Sequence, residues 1–147
     1  MSNWTQSRLV ALRARKANYL IRPAVREEPL CTAASARGAA PIPLSAWRGV
    51  SGRRYVVVIH PLDAPDLVAA RAAVVLAVMR DEGRARLIAT RACTAGDPGF
   101  LGWLAACARL GAGELHAHRL CRYDDERAAI AADLIDPIAA QASGATR

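Results

Sequence analysis

Residues 71 to 92, RAAVVLAVMRDEGRARLIATRA, constrain the fold more than any other stretch of the chain. Two apolar runs flank Asp81-Glu82-Gly83, where glycine supplies the positive φ that a tight hairpin turn needs. Between Ala72 and Met79 there is no hydroxyl, carboxylate, imidazole or aromatic ring, and between Leu87 and Thr90 there is one hydroxyl. Strands this blank are built for packing, so any chemistry has to come from elsewhere in the chain.

The flanking segments supply the rest of a domain. RRYVVVIHPL predicts a strand from about Arg53 to His60, apolar on both faces from Tyr55 to Ile59 and therefore central or covered on both sides. After the hairpin, Asp97-Pro98 reads as a helix start, aspartate capping and proline in the first turn. Phe100, Leu104 and Cys107 fall on one helical face, and Gly111 and Gly113 stop the helix. ELHAHRL, residues 114 to 120, alternates as a strand. Asp124, Asp125 and Glu126 form the negative first turn of a second helix, with Ile130, Leu134 and Ile138 as its apolar stripe. Strand, hairpin, helix, strand, helix is an α+β domain with a small, mainly antiparallel sheet.

Charge divides the chain. Residues 1–54 carry ten basic side chains against Glu27 and Glu28, whereas residues 55–147 are close to neutral. QSRLVALRARKANYLI, residues 6 to 21, predicts a basic amphipathic helix ended by Arg22-Pro23. CTAASARGAAPIPLSA, residues 31 to 46, reads as an extended linker. The expected organisation is a basic arm and linker over 1–46, a core over 47–138 and a disordered tail over 139–147. Of the apolar residues 33 are alanine, which leaves enough larger ones for one modest core. No apolar run approaches the roughly 20 residues that cross a bilayer, and no secretory signal is visible, so a cytoplasmic protein is expected. The cysteines at 31, 93, 107 and 121 form no C-x-x-C pair and read as buried free thiols.

Few constellations carry chemistry. His116, His118 and Cys121 have donor types and strand spacing that suit a metal, but Leu120 shares the expected face, and histidines on small-domain sheets are more often hydrogen-bonded packing residues. Cys121 with His118 lacks a third orienting group for a nucleophilic pair. Gly49-Val50-Ser51-Gly52 lacks the strand-before, helix-after setting of a phosphate loop, although Arg48, Arg53 and Arg54 beside it suit an anion. No cofactor is indicated.

The order hairpin, helix, strand, helix, with the triplets Ala73-Val74-Val75 and Leu87-Ile88-Ala89 in the hairpin, is similar to the GIY-YIG nuclease fold. The strand LHAH and a helix ending in DLI also resemble small bacterial proteins related to that superfamily. The likeness covers about residues 53 to 136. It implies tyrosines where Val75 and Leu87 stand, a metal-binding glutamate where Ala131 stands, and an arginine near Gly99 and Phe100. Phosphodiester cleavage needs a held metal and a polarised nucleophile, so the resemblance implies a degenerate member that does not cut.

Two readings of function follow. In the first, the chain is a non-catalytic nucleic-acid-binding or nucleoprotein-associated module. Arg8, Arg13, Arg15, Lys16, Arg22, Arg26, Arg48, Arg53 and Arg54 neutralise phosphates, and Trp4, Tyr19 and Trp47 are placed to stack on bases. In the second, it is a protein-interaction or assembly subunit whose arm orders on a partner.

Overall fold

The computed structural model describes residues 24–30 and 43–136. The expected helix over 6–21, most of the linker, Cys31, Ile138 and the tail lie outside the described residues. So do Arg8, Arg13, Arg15, Lys16 and Arg22.

The fold is α+β; among the described residues it has a curled, antiparallel sheet of six strands and three helices. In chain order the elements are β1 (Arg26–Glu27), β2 (Leu44–Arg48), β3 (Arg54–Pro61), α1 (Pro65–Ala69), β4 (Ala73–Asp81), β5 (Arg84–Cys93), α2 (Phe100–Arg109), β6 (Glu114–His118) and α3 (Asp124–Asp133). The strands lie in the order β1-β2-β3-β6-β4-β5, so β6 enters between β3 and β4.

The hairpin forms as its sequence requires. Glu82 and Gly83 take φ of 49° and 78°, the paired positive values of a two-residue turn that follows the twist of its strands. A bulge between Ala77 and Val78 shifts the register against β5 and bends the pair. β4 is flanked on both edges and covered on both faces, which is why its sequence can be uniformly apolar. Ala73, Val75 and Ala77 join Val68 of α1, Phe100, Leu104 and Cys107 of α2, and Leu115 and Ala117 of β6. Val74, Leu76 and Val78 join Val25, Trp47, Tyr55, Val57, and Ile130 and Leu134 around α3.

Four differences from the sequence expectation have physical causes. Ordered structure begins before Trp47, because Leu44–Arg48 pairs with β3 and Arg26–Glu27 pairs with β2. A two-residue strand has no periodicity, and Pro41 and Pro43 beside Leu44 disguise the start of β2. Helix α2 starts at Phe100 with Gly99 at its N-cap; Asp97 instead accepts Gly99 N–H (3.0 Å) while pairing with Arg91. β6 ends at His118, so Leu120 lies beyond the strand and is 74% exposed. Cys121 lies beyond the strand; Cys93, Cys107 and Cys121 are free, the first two buried as expected.

Candidate functional site

Register assembles what sequence order leaves scattered. Arg26 stands opposite Arg48, and Arg48 opposite Arg54, so three arginines form one row across β1, β2 and β3. Partners in register share a face, and the alternate positions Glu27, Trp47 and Tyr55 turn to the other. Like charges placed opposite one another cost stability, and one carboxylate offsets that cost here. Glu28 accepts two hydrogen bonds from Arg48, Nε at 2.6 Å and Nη2 at 3.0 Å. Arg54 Nε lies 3.0 Å and Arg26 Nη2 3.4 Å from the same carboxylate. The hydrogen bond from Arg48 does most to hold the Glu28 carboxyl below its usual range, and the charges of Arg48, Arg54 and Arg26 add to it against the effect of burial. Arg48 Nη1 also donates to Gly52 O (2.8 Å), tying the row to the β2–β3 turn that carries the exposed Arg53.

That turn is fastened to the end of α3. Asp133 Oδ1 accepts Ser51 N–H (2.8 Å), and Oδ2 accepts the hydroxyls of Ser51 and Tyr55 (2.7 Å each). Val50 N–H donates to the Asp133 carbonyl (2.8 Å). A Cβ at Gly49 would collide with the same carboxylate, so glycine is required by close approach. Burial works against ionising Asp133, yet the bonds from Ser51 and Tyr55 keep its carboxyl below the usual range. Burial, reinforced by Asp133, pushes the Tyr55 hydroxyl up. With both oxygens occupied, Asp133 is a joint and not a base. Beside it opens a cleft of about 530 Å³, lined in part by Arg53, Arg54, Tyr55, His118 and Leu120.

The two histidines of β6 do share a face, as their spacing requires, but each is already engaged. Trp47 Nε1–H donates to His116 Nδ1 (2.9 Å), so that nitrogen carries no proton and Nε2–H donates to Glu114 (2.9 Å). His116 is fully buried; burial pulls its pKa down, against the pull of Glu114 and Glu27. His118 Nδ1 is bonded to the Val56 carbonyl (2.7 Å), and its ring meets Tyr55 edge-on. Burial raises the Cys121 thiol. Among the described residues no three His, Cys, Asp or Glu side chains converge as a metal site, and His116, His118 and Cys121 form none. The acidic triplet is spent locally: Glu126 accepts Arg122 N–H, Asp125 accepts Glu126 N–H, and Asp124 pairs with Arg127.

The positions that the nuclease resemblance aligns do not meet. Val75 packs with α1 and α2, whereas Leu87 of β5 and Ala131 of α3 pack against the cluster on the opposite face. All thirteen acidic residues lie within the described residues, together with thirteen of the basic ones. The formal charge of +7 therefore belongs entirely to the segments outside them, the arm above all. The arginine row is the feature least visible in the sequence. Arg26, Arg48 and Arg54 can be read there as basic residues, but their alignment and Glu28's place among them depend on a register that no local pattern encodes. Among the described residues no helix is long and apolar enough to cross a membrane. Comparison with known proteins found no matching family model, curated protein or solved structure.

Proposed function

We propose that this protein is a non-catalytic nucleic-acid-binding module that grips phosphates with the row Arg26–Arg48–Arg54, Arg53 beside it and the basic arm before it. The observation that carries the reading is that Arg48 and Arg54 stand opposite each other on one outward face and share the single carboxylate of Glu28. Arginine presents a planar fork that matches phosphate oxygens two at a time. The arm enters the sheet at β1, so Arg8, Arg13, Arg15, Lys16 and Arg22 precede the row in the chain. No base-reading interaction is assigned, so affinity is electrostatic and falls steeply with salt. In this reading the GIY-YIG-like order of elements supplies shape alone, and the protein acts in the cytoplasm.

The test is a gel-shift titration of the full chain against single- and double-stranded oligonucleotides at several salt concentrations. Replacing Arg8, Arg13, Arg15, Lys16 and Arg22 by Gln should flatten the salt slope by about one for each phosphate no longer neutralised. Substitution is preferable to removing residues 1–46, because that cut takes away β1 and the first three of the five residues of β2. No shift at low salt, together with a stable complex with an acidic protein, would assign the arm to protein assembly instead.

A further inference from the structure

His118 ends β6 on the face that packs with Tyr55, and its ring is held at two points. Nδ1 meets the Val56 carbonyl at 2.7 Å, and the Tyr55 ring stands edge-on with centroids 5.4 Å apart. A carbonyl can only accept, so Nδ1 carries the ring proton and Nε2 of the neutral ring is an acceptor. Nε2 takes no hydrogen bond among the described residues, although His118 is only 4% exposed. It is not sealed in either: among the described residues the buried side-chain atoms without a partner are Ser45 Oγ and Arg119 Nε. The ring lines the cleft beside the Asp133 joint, and the bare nitrogen opens into that cleft.

The other walls differ in chemistry. Arg53 is exposed, and its guanidinium forms no hydrogen bond or ion pair among the described residues. Arg54 lines the cleft as well, while sharing the Glu28 carboxylate with Arg48. Leu120 and Ile130 contribute apolar surface, and the exposed Glu126 a second acceptor. The Asp133 joint fastens the turn that carries Arg53 to the helix that carries Ile130, so the walls are fixed before anything binds. The volume of about 530 Å³ falls within the roughly 300–1,000 Å³ of small-molecule sites. Cations, acceptors and apolar surface in one cleft suit a ligand that is anionic at one end, apolar across a face and equipped with N–H donors. A nucleotide has all three, because every base carries an N–H on its pairing edge.

We propose that this cleft takes one unpaired nucleotide, its phosphate toward Arg53 and Arg54, its base against Leu120 and Ile130, and a base N–H donating to His118 Nε2. The inference rests on the nucleic-acid reading and deepens it. Arg54 belongs to the row and to the cleft alike, so a strand held by the row can leave one unstacked base in the cleft. The contact accepts any base, so it favours unpaired over paired strands without selecting sequence. Tyr55 and the Val56 carbonyl are positioning groups, which fix the direction of Nε2.

The experiment measures binding of the full chain to a single-stranded oligonucleotide and to an abasic sugar-phosphate strand of the same length, by fluorescence anisotropy. The two probes carry the same phosphates, so the contribution of the arginine row is common to both. Wild type should bind the base-bearing strand about tenfold or more tightly than the abasic one, the effect expected of one base held against side chains. His118→Phe removes the acceptor, and Ala129→Trp fills the cleft from an exposed position of α3. Each should bring the two strands close to equal affinity while leaving the abasic affinity and its salt slope as in wild type. Ala129 is exposed, so its variant keeps the test decisive if His118→Phe does not fold. Equal affinity of wild type for the two strands overturns the cleft proposal and leaves the phosphate-gripping row standing. A preference that survives Ala129→Trp overturns it too, by assigning the base contact elsewhere. Failure of wild type to bind either strand overturns the nucleic-acid reading itself, and a free nucleoside 5′-monophosphate then decides the cleft. A rise in unfolding midpoint with that nucleotide, present in wild type and lost in Ala129→Trp, identifies a free nucleotide as the occupant; no rise overturns the proposal.

Discussion

Glu27 and Glu28 are consecutive in the chain, yet the pleat sends them to opposite faces with opposite charge ratios. Inside the curl, two carboxylates meet one guanidinium. Arg80 donates to Glu114 (Nε 2.8 Å, Nη2 2.9 Å) and approaches Glu27 at 3.2 Å, and neutral His116 fills the remaining space beneath Trp47. Outside, three guanidinium groups meet one carboxylate. The Glu27 side chain is 6% exposed and that of Glu28 is 25% exposed. The first arrangement spends its arginine on holding β1 against β4 and β6; the second gathers three arginines around one carboxylate nearer the surface. The difference teaches that the same residue types build a buried clasp or a charged outer row according to which partner is in excess.

The contrast can be broken most forcefully from the inside. Trp47→Ala removes a large, fully buried side chain and strips His116 Nδ1 of its donor. It should lower unfolding free energy by about 3–5 kcal/mol in a urea titration. A loss under about 1 kcal/mol would mean that the interior network is not a clasp. Next in size, Glu27→Gln leaves Arg80 with one carboxylate and should cost about 1–3 kcal/mol without improving oligonucleotide affinity.

On the outer face the expectation reverses, and affinity is the quantity that moves. Arg48→Gln with Arg54→Gln should weaken oligonucleotide binding about tenfold or more at low salt and reduce the salt slope by about two. Glu28→Gln frees the row and should strengthen binding a few-fold, read in the same assay. Equal responses to Glu27→Gln and Glu28→Gln would erase the distinction between the two faces.

The smallest expected effect is a drift with pH. Burial lowers the His116 pKa in the folded state, so the unfolded chain takes up that proton first. Stability is therefore complete above the ordinary imidazole value of about 6.5 and declines as pH falls below it. The Glu114 carboxyl, held low chiefly by the Arg80 hydrogen bond, adds a further loss below the usual carboxylate range. Urea midpoints measured from pH 7 to 5 should slope downward for wild type and flatten in His116→Gln.

Local pattern carries the sequence reading wherever structure is local. The hairpin, α2, β6 and α3 are legible because alternation, helical spacing and turn glycines are short-range signals. Ile130 of α3 and Leu134, the residue that caps its end, both join the core as their spacing requires. What escapes lies across long separations. Trp47 and His116 are 69 residues apart, and Ser51 and Asp133 are 82 apart, so neither bond leaves a trace in neighbouring residues. The row of arginines escapes for the same reason: its charges are countable, but its alignment rests on β1 and β2.

The place of β6 in the sheet carries a consequence for the order in which the chain is made. The β2–β3 and β4–β5 pairs can close while only the first 93 residues exist, since each joins neighbouring segments. The two halves have no strand in common until residues 114 to 118 arrive and pair with β3 on one side and β4 on the other. A nascent chain stalled before Glu114 therefore exposes two unfinished edges, Val58–Pro61 and Val74–Val78, each a template for wrong pairing. In the order of synthesis, the pairing of β6 with both β3 and β4 is thus the last closure of the sheet, made by the insertion of five residues.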